Sequence, residues 1–154
     1  MATYSAEPIV PEILQSMLQN NWQNYGGKVP LPQVVSVNVD EEDQFRYNFQ
    51  GKDFVFVQVD PTGEQATARD TYRYWDINFN VTLHIYTMSS RQRLYDLKSE
   101  IRRITIYKMH DTTTNGYQLV RYKGFTELPS TQKVWRGIIR VAFESNRVYY
   151  AIEA

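Results

Sequence analysis

Between residues 72 and 107 the chain changes its hydrophobic period at a pair of serines, and that change dictates a strand feeding straight into a helix. Over 72–88, Trp75, Ile77, Phe79, Val81, Leu83 and Ile85 alternate with Asp76, Asn78, Asn80, Thr82 and His84, so one face requires a core and the other is polar. Over 90–107 the apolar spacing becomes helical. Leu94, Leu97, Ile101 and Ile104 form a stripe, with Arg91, Arg93, Lys98, Glu100, Arg102 and Arg103 around it. Ser89, followed three residues on by Gln92, reads as a capping box that sets the helix start. Such a pair buries both apolar surfaces by folding the helix back onto its own sheet. Nothing in the run resembles a catalytic motif, which points to a small structural or assembly domain.

The flanking sequence extends the same pattern. Ile9, Ile13, Leu14, Met17 and Leu18 predict a first helix from about residue 8 or 11 to 22, with Pro11 tolerated in the first turn and Gly26 and Gly27 stopping it. Val35, Val37 and Val39 alternate as a short strand, and Phe45, Tyr47 and Phe49 read as a continuing strand or an aromatic loop. At 53–59, Phe54, Val55, Phe56 and Val57 are apolar on both faces, as in a central strand covered by helix on one side and by something else, such as a neighbouring subunit, on the other. Residues 61–69 have no period and few large apolar groups, and read as a loop or mobile arm. After the polar 110–116 come a loosely alternating strand at 117–125, a connection at 126–132 containing Pro129, and a long final strand at 134–150. On that strand Trp135, Ile139, Val141 and Phe143 share one face, while Ile138 and Ala142 interrupt the polar other face. The expected fold is α+β: one layer of mainly antiparallel sheet with both helices on one side, in a single domain over 1–154, with mobile loops around 40–50 and 61–70.

Composition narrows the function classes. At 154 residues with 42% hydrophobic and 14% aromatic side chains, the chain is of single-domain size and able to build a core. Without cysteine it has no disulfide framework and no thiolate metal site. The apolar runs are too short for a membrane span, and the first residues lack the pattern of a secretory signal, so a cytosolic product is expected. Net charge is zero, but residues 1–77 carry 5 basic and 11 acidic side chains against 12 and 6 in 78–154. That polarity suits copies meeting acidic surface to basic surface, unless the halves interleave and cancel it. The 12 tyrosines and 3 tryptophans exceed what one small core hides and favour an oligomer.

Enzyme chemistry has little support. His84 and His110 lack metal-spaced partners, no glycine-rich phosphate loop or nucleophile elbow occurs, and no cofactor is expected. Asp40, Glu41, Glu42 and Asp43 lack the glycine and distal glutamate of an ion-binding loop and read as an exposed acidic loop. Arg91, Arg93, Lys98, Arg102, Arg103 and Lys108 give one helix a basic surface, with Arg121, Lys123, Arg136 and Arg140 as additions from strands. This leaves a nucleic-acid-binding module as an alternative, set against the simpler reading that these side chains solvate the helix and pair with acidic residues.

The run Arg73-Tyr-Trp-Asp-Ile-Asn-Phe-Asn-Val-Thr-Leu-His-Ile-Tyr-Thr87, followed by Ser90-Arg-Gln-Arg-Leu-Tyr-Asp-Leu-Lys-Ser-Glu-Ile-Arg-Arg-Ile104, resembles the tail-terminator, or tail-completion, proteins of long-tailed bacteriophages. Gly116-Tyr-Gln-Leu-Val-Arg-Tyr122 and Lys133-Val-Trp-Arg-Gly-Ile-Ile-Arg-Val-Ala-Phe143 fit the same layout, whereas the segment with Pro30-Leu-Pro32 and the acidic run lies outside it. The resemblance implies a sheet packed on helices and a structural virion protein of the tail or neck, made in the host bacterial cytoplasm. It further implies a hexameric ring that caps the tail tube and joins it to the head. The implied partners are copies of itself, the tail tube protein, a head-side connector or stopper, and genomic DNA passing non-specifically through the channel, with no membrane. The alternatives nearby are another connector or stopper of the neck, or the basic-helix module. In the ring, Arg102 and Arg103 would face Asp40, Glu41, Glu42 and Asp43 of the next copy or the channel, with the 61–69 loop and the polar face of 72–88 at the subunit boundary.

Overall fold

The structure is a computed structural model that describes residues 9–36, 52–69, 74–110, 117–131 and 133–149. In chain order these form α1 (Val10–Asn21), β1 (Gln33–Ser36), β2 (Phe54–Arg69), β3 (Tyr74–Thr87), α2 (Arg91–Tyr107), β4 (Leu119–Thr131) and β5 (Val134–Tyr149). The five strands make one mixed sheet in the order β1-β2-β3-β5-β4, with β1 parallel to β2 and every other pair antiparallel. No helix among the described residues is long and apolar enough to cross a membrane.

Both helices lie on one face, as their stripes require. Leu14 and Leu18 of α1 and Leu94, Leu97, Ile101 and Ile104 of α2 are fully buried against Val55, Val81, Leu83, Ile85, Ile139 and Phe143 of the sheet. Each such aliphatic side chain contributes about 1.5–3 kcal/mol by leaving water. α1 begins with Pro11 in its first turn and ends where Trp22 turns extended. Tyr25, Gly26 and Gly27 follow at φ 50°, 68° and 90°, a left-handed turn that only glycine adopts freely. The two-faced apolar reading of the start of β2 is borne out. Val55 and Val57 enter the main core, while Phe54 and Phe56 form a second cluster with Tyr86 and Val134 on the opposite face.

Several sequence expectations change. The α2 cap is Ser90, whose hydroxyl accepts the Arg93 amide at 3.1 Å. The Ser89–Gln92 box does not form: the Ser89 amide donates to Thr87 Oγ1, and Gln92 reaches forward to Asp96. Arg93 and Glu100 are buried rather than solvating α2. Of the expected connection at 126–132, residues 126–131 continue β4, because Pro129 sits on an edge strand where its missing N–H costs no ladder bond. The expected 61–69 loop is mostly strand, since Glu64 to Arg69 pair with Phe79 to Tyr74 despite their small polar side chains. The acidic loop at 40–43, the aromatic segment at 45–49 and Val37 and Val39 lie outside the described residues.

Candidate functional site

Of the four breaks in register in the sheet, three shape its face away from the helices, and polar side chains of β3 hold two of these. In β2, residues 60–63 stand opposite the single residue Asn80, between the pairs Val59–Val81 and Glu64–Phe79. Asp60 fixes this bulge: its Oδ1 accepts the Thr62 amide at 2.9 Å and the Thr62 hydroxyl at 2.7 Å, and its Oδ2 accepts the Thr82 hydroxyl at 2.8 Å. Asn80 Nδ2 donates to Thr62 Oγ1 at 3.0 Å from across the ladder. In β5, Ser145 adopts φ 64°, and its amide donates to Asn78 Oδ1 at 2.9 Å. In β4, Lys123 is the extra residue before Gly124, whose φ of 139° disfavours a side chain.

These bulges bend the long strands and leave a trough on the open face. It consists of two adjoining depressions of about 460 and 540 Å³ that share Asp60 and Arg140. Gln58, Thr82, His84 and Ile138 line one part; Thr62, Gln65, Asn80 and Lys123 line the other. Burial alone would raise the Asp60 pKa, but the hydrogen bonds from Thr62 and Thr82 and the charge of Arg140 together hold it below the ordinary carboxylate range. Three donors already occupy Asp60. Gln58 is 7% exposed, and its buried Nε2 has no hydrogen-bond partner among the described residues. The trough therefore presents the exposed Lys123 ammonium and the Arg140 guanidinium, which also donates to Thr126 Oγ1 at 3.4 Å, above the buried Gln58 amide.

The basic helix resolves into separate internal contacts. Arg93 Nε donates to Asp53 Oδ2 at 2.7 Å and its second arm to the Pro30 carbonyl at 2.6 Å, while Thr87 donates to the other Asp53 oxygen. One buried guanidinium thus ties the chain before β1 to the start of β2, the end of β3 and the start of α2. Arg91 forms a bidentate pair with Glu127 of β4, whose carboxylate also accepts Tyr95 Oη at 2.8 Å. Those bonds from Arg91 and Tyr95 lower the Glu127 pKa and, through the shared proton, raise that of Tyr95. Lys98 lies over the rings of Tyr95 and Phe125.

The two arginines expected to act together are divided. Arg103 binds Glu100, itself 2% exposed, and donates to the Asn21 carbonyl at 2.8 Å, joining α2 to the end of α1. Arg102 is exposed. Their expected acidic counterparts, Asp40, Glu41, Glu42 and Asp43, lie outside the described residues. His84 lines the trough, and His110 is exposed beyond α2. Among the described residues no three His, Asp or Glu side chains are grouped to hold a metal ion. The trough itself escaped the sequence reading, although Asn78 and Asn80 on the polar face of β3 and the Asp-Pro-Thr-Gly run at 60–63 carried its signal. No protein-family model matches this chain, and no curated protein matches it.

Proposed function

We propose that this chain is a structural subunit of a bacteriophage tail that assembles into a ring, hexameric by its resemblance to tail terminators, and caps the tail tube at the neck. The observation that carries an assembly role is the hairpin of β2 and β3 beyond the bulge. Its ladder from Glu64–Phe79 to Arg69–Tyr74 keeps twelve residues in register, yet residues 64–67 are all exposed and add little to the core. Beyond its short pairing with β1, the outer edge of β2 has no strand partner among the described residues, and β4 is the other sheet edge. Two different edges on one subunit fit a head-to-tail contact, the kind that closes into a ring when the rotation allows. The station at the head-proximal end of the tail rests on the sequence resemblance. Omitting the chain from tail assembly should give tubes of irregular length that fail to join heads. Tubes of normal length that join heads without it would refute the proposal.

A basic helix that binds nucleic acid has weaker support, because Arg91, Arg93 and Arg103 are paired with carboxylates of the same chain. Its distinguishing property is an affinity for DNA that falls steeply with salt.

A further inference from the structure

We infer that the trough on the open sheet face is the contact at which a second copy of this chain seats a carboxylate-bearing segment. The inference rests on the ring reading and specifies one of its interfaces. Three features of the trough select this occupant.

Gln58 is buried on β2 with an amide nitrogen that no group among the described residues satisfies. A buried donor left unmade costs roughly 1–3 kcal/mol, so an acceptor entering the trough recovers more than an ordinary surface hydrogen bond provides. Lys123 and Arg140 set the sign of the visitor. Both are exposed, Lys123 on the β4 bulge and Arg140 one strand inward, and the one carboxylate that lines the trough among the described residues, Asp60, is occupied by Thr62 and Thr82. A segment with acceptor oxygens and negative charge complements the two cations. Val59, Pro61 and Ile138 along one side give the stem of such a side chain an apolar wall.

Charge identifies the chain itself as the source. Its first 77 residues carry 11 acidic and 5 basic side chains, while both cations of the trough come from its second half. A copy that offers its acidic half to the basic trough of the next makes a contact between two different patches, which repeats around a ring rather than stopping at a dimer. Arg103, one of the two arginines expected to receive such a segment, is already bound to Glu100 and Asn21.

The test uses the full chain assembled on purified tail tubes. Lys123→Glu and Gln58→Leu should each keep the melting temperature of the wild-type monomer within a few degrees. Lys123 is exposed, and Leu removes an unsatisfied amide without changing bulk. Each should nevertheless weaken ring formation roughly tenfold or more. A photo-crosslinking residue placed at Gln65, on the trough rim, should label a second copy of the chain within rings. If wild-type rings form and both variants assemble like wild type, the trough inference falls and the ring reading stands. Crosslinks confined to tube protein, DNA or the same copy also overturn it. If the wild type forms no ring on tubes, the ring reading falls and the inference with it.

Discussion

Replacing Arg93 by methionine should cost more stability than the same change at any other basic residue of α2. The substitution keeps an unbranched stem of similar length but removes a guanidinium whose side chain is 10% exposed and whose partner carboxylate is 14% exposed. Asp53 would keep its bond from Thr87 and lose its charge partner, and the Pro30 carbonyl would lose its donor. Breaking a buried ion pair from one side costs about 3–5 kcal/mol, mostly because the remaining charge is left desolvated. For a chain of this length each kcal/mol lowers the melting temperature by roughly 2–4 °C, so a drop on the order of 10 °C is expected. Urea unfolding followed by far-UV circular dichroism gives the free energy directly. The double variant Arg93→Met with Asp53→Asn should recover at least about 1 kcal/mol relative to additivity, because no charge is then stranded. A loss below about 1 kcal/mol for the single variant, or strict additivity in the cycle, would refute the assignment of Arg93 as the clamp joining four segments.

Three further outcomes follow from the same contacts. Gly137→Ala should destabilise by about 1–3 kcal/mol, since a Cβ there would sit 2.4 Å from Phe125 Cε2 and 3.3 Å from Leu94 Cδ1, and the same urea titration would detect it. Arg102→Glu should change stability by less than about 0.5 kcal/mol, whereas Arg103→Glu should cost about 2–3 kcal/mol by setting a second carboxylate beside buried Glu100; equal effects would contradict the division of roles. Asp60 is held below its unfolded value of about 3.9, so its stabilising contribution is present above that pH and is lost as pH falls through the lower folded value. Asp60→Asn should therefore lower stability at neutral pH and flatten its decline between pH 4 and 2, read from melting temperatures across that range.

Where large apolar side chains set the period, the sequence was sufficient to read the fold. The stripes of α1 and α2, the core face of β3 from Val81 to Ile85, and the alternation of β5 all reappear as buried rows. The arm of β2 was read as a loop because Thr62, Gly63, Gln65, Ala66 and Thr67 carry no periodic signal. Pairing with β3 supplies the order that local propensity lacks. Arg93 and Glu100 were read as solvated because a charged residue beside an apolar stripe gives no local sign of a partner 40 residues away, or of one on the next turn whose burial depends on α1. The trough was illegible for a similar reason: its donors come from β2, β4 and β5, and only the strand order brings them together.

The assembly account is tested most directly by cryo-electron microscopy of complete tails carrying a tagged copy of this chain. A single closed ring of copies at the head-proximal end of the tube, with neighbouring subunits meeting through different edges of their sheets, is the predicted result. Tails of normal architecture in which the tagged chain is absent from that end, or is bound as isolated monomers, would contradict it.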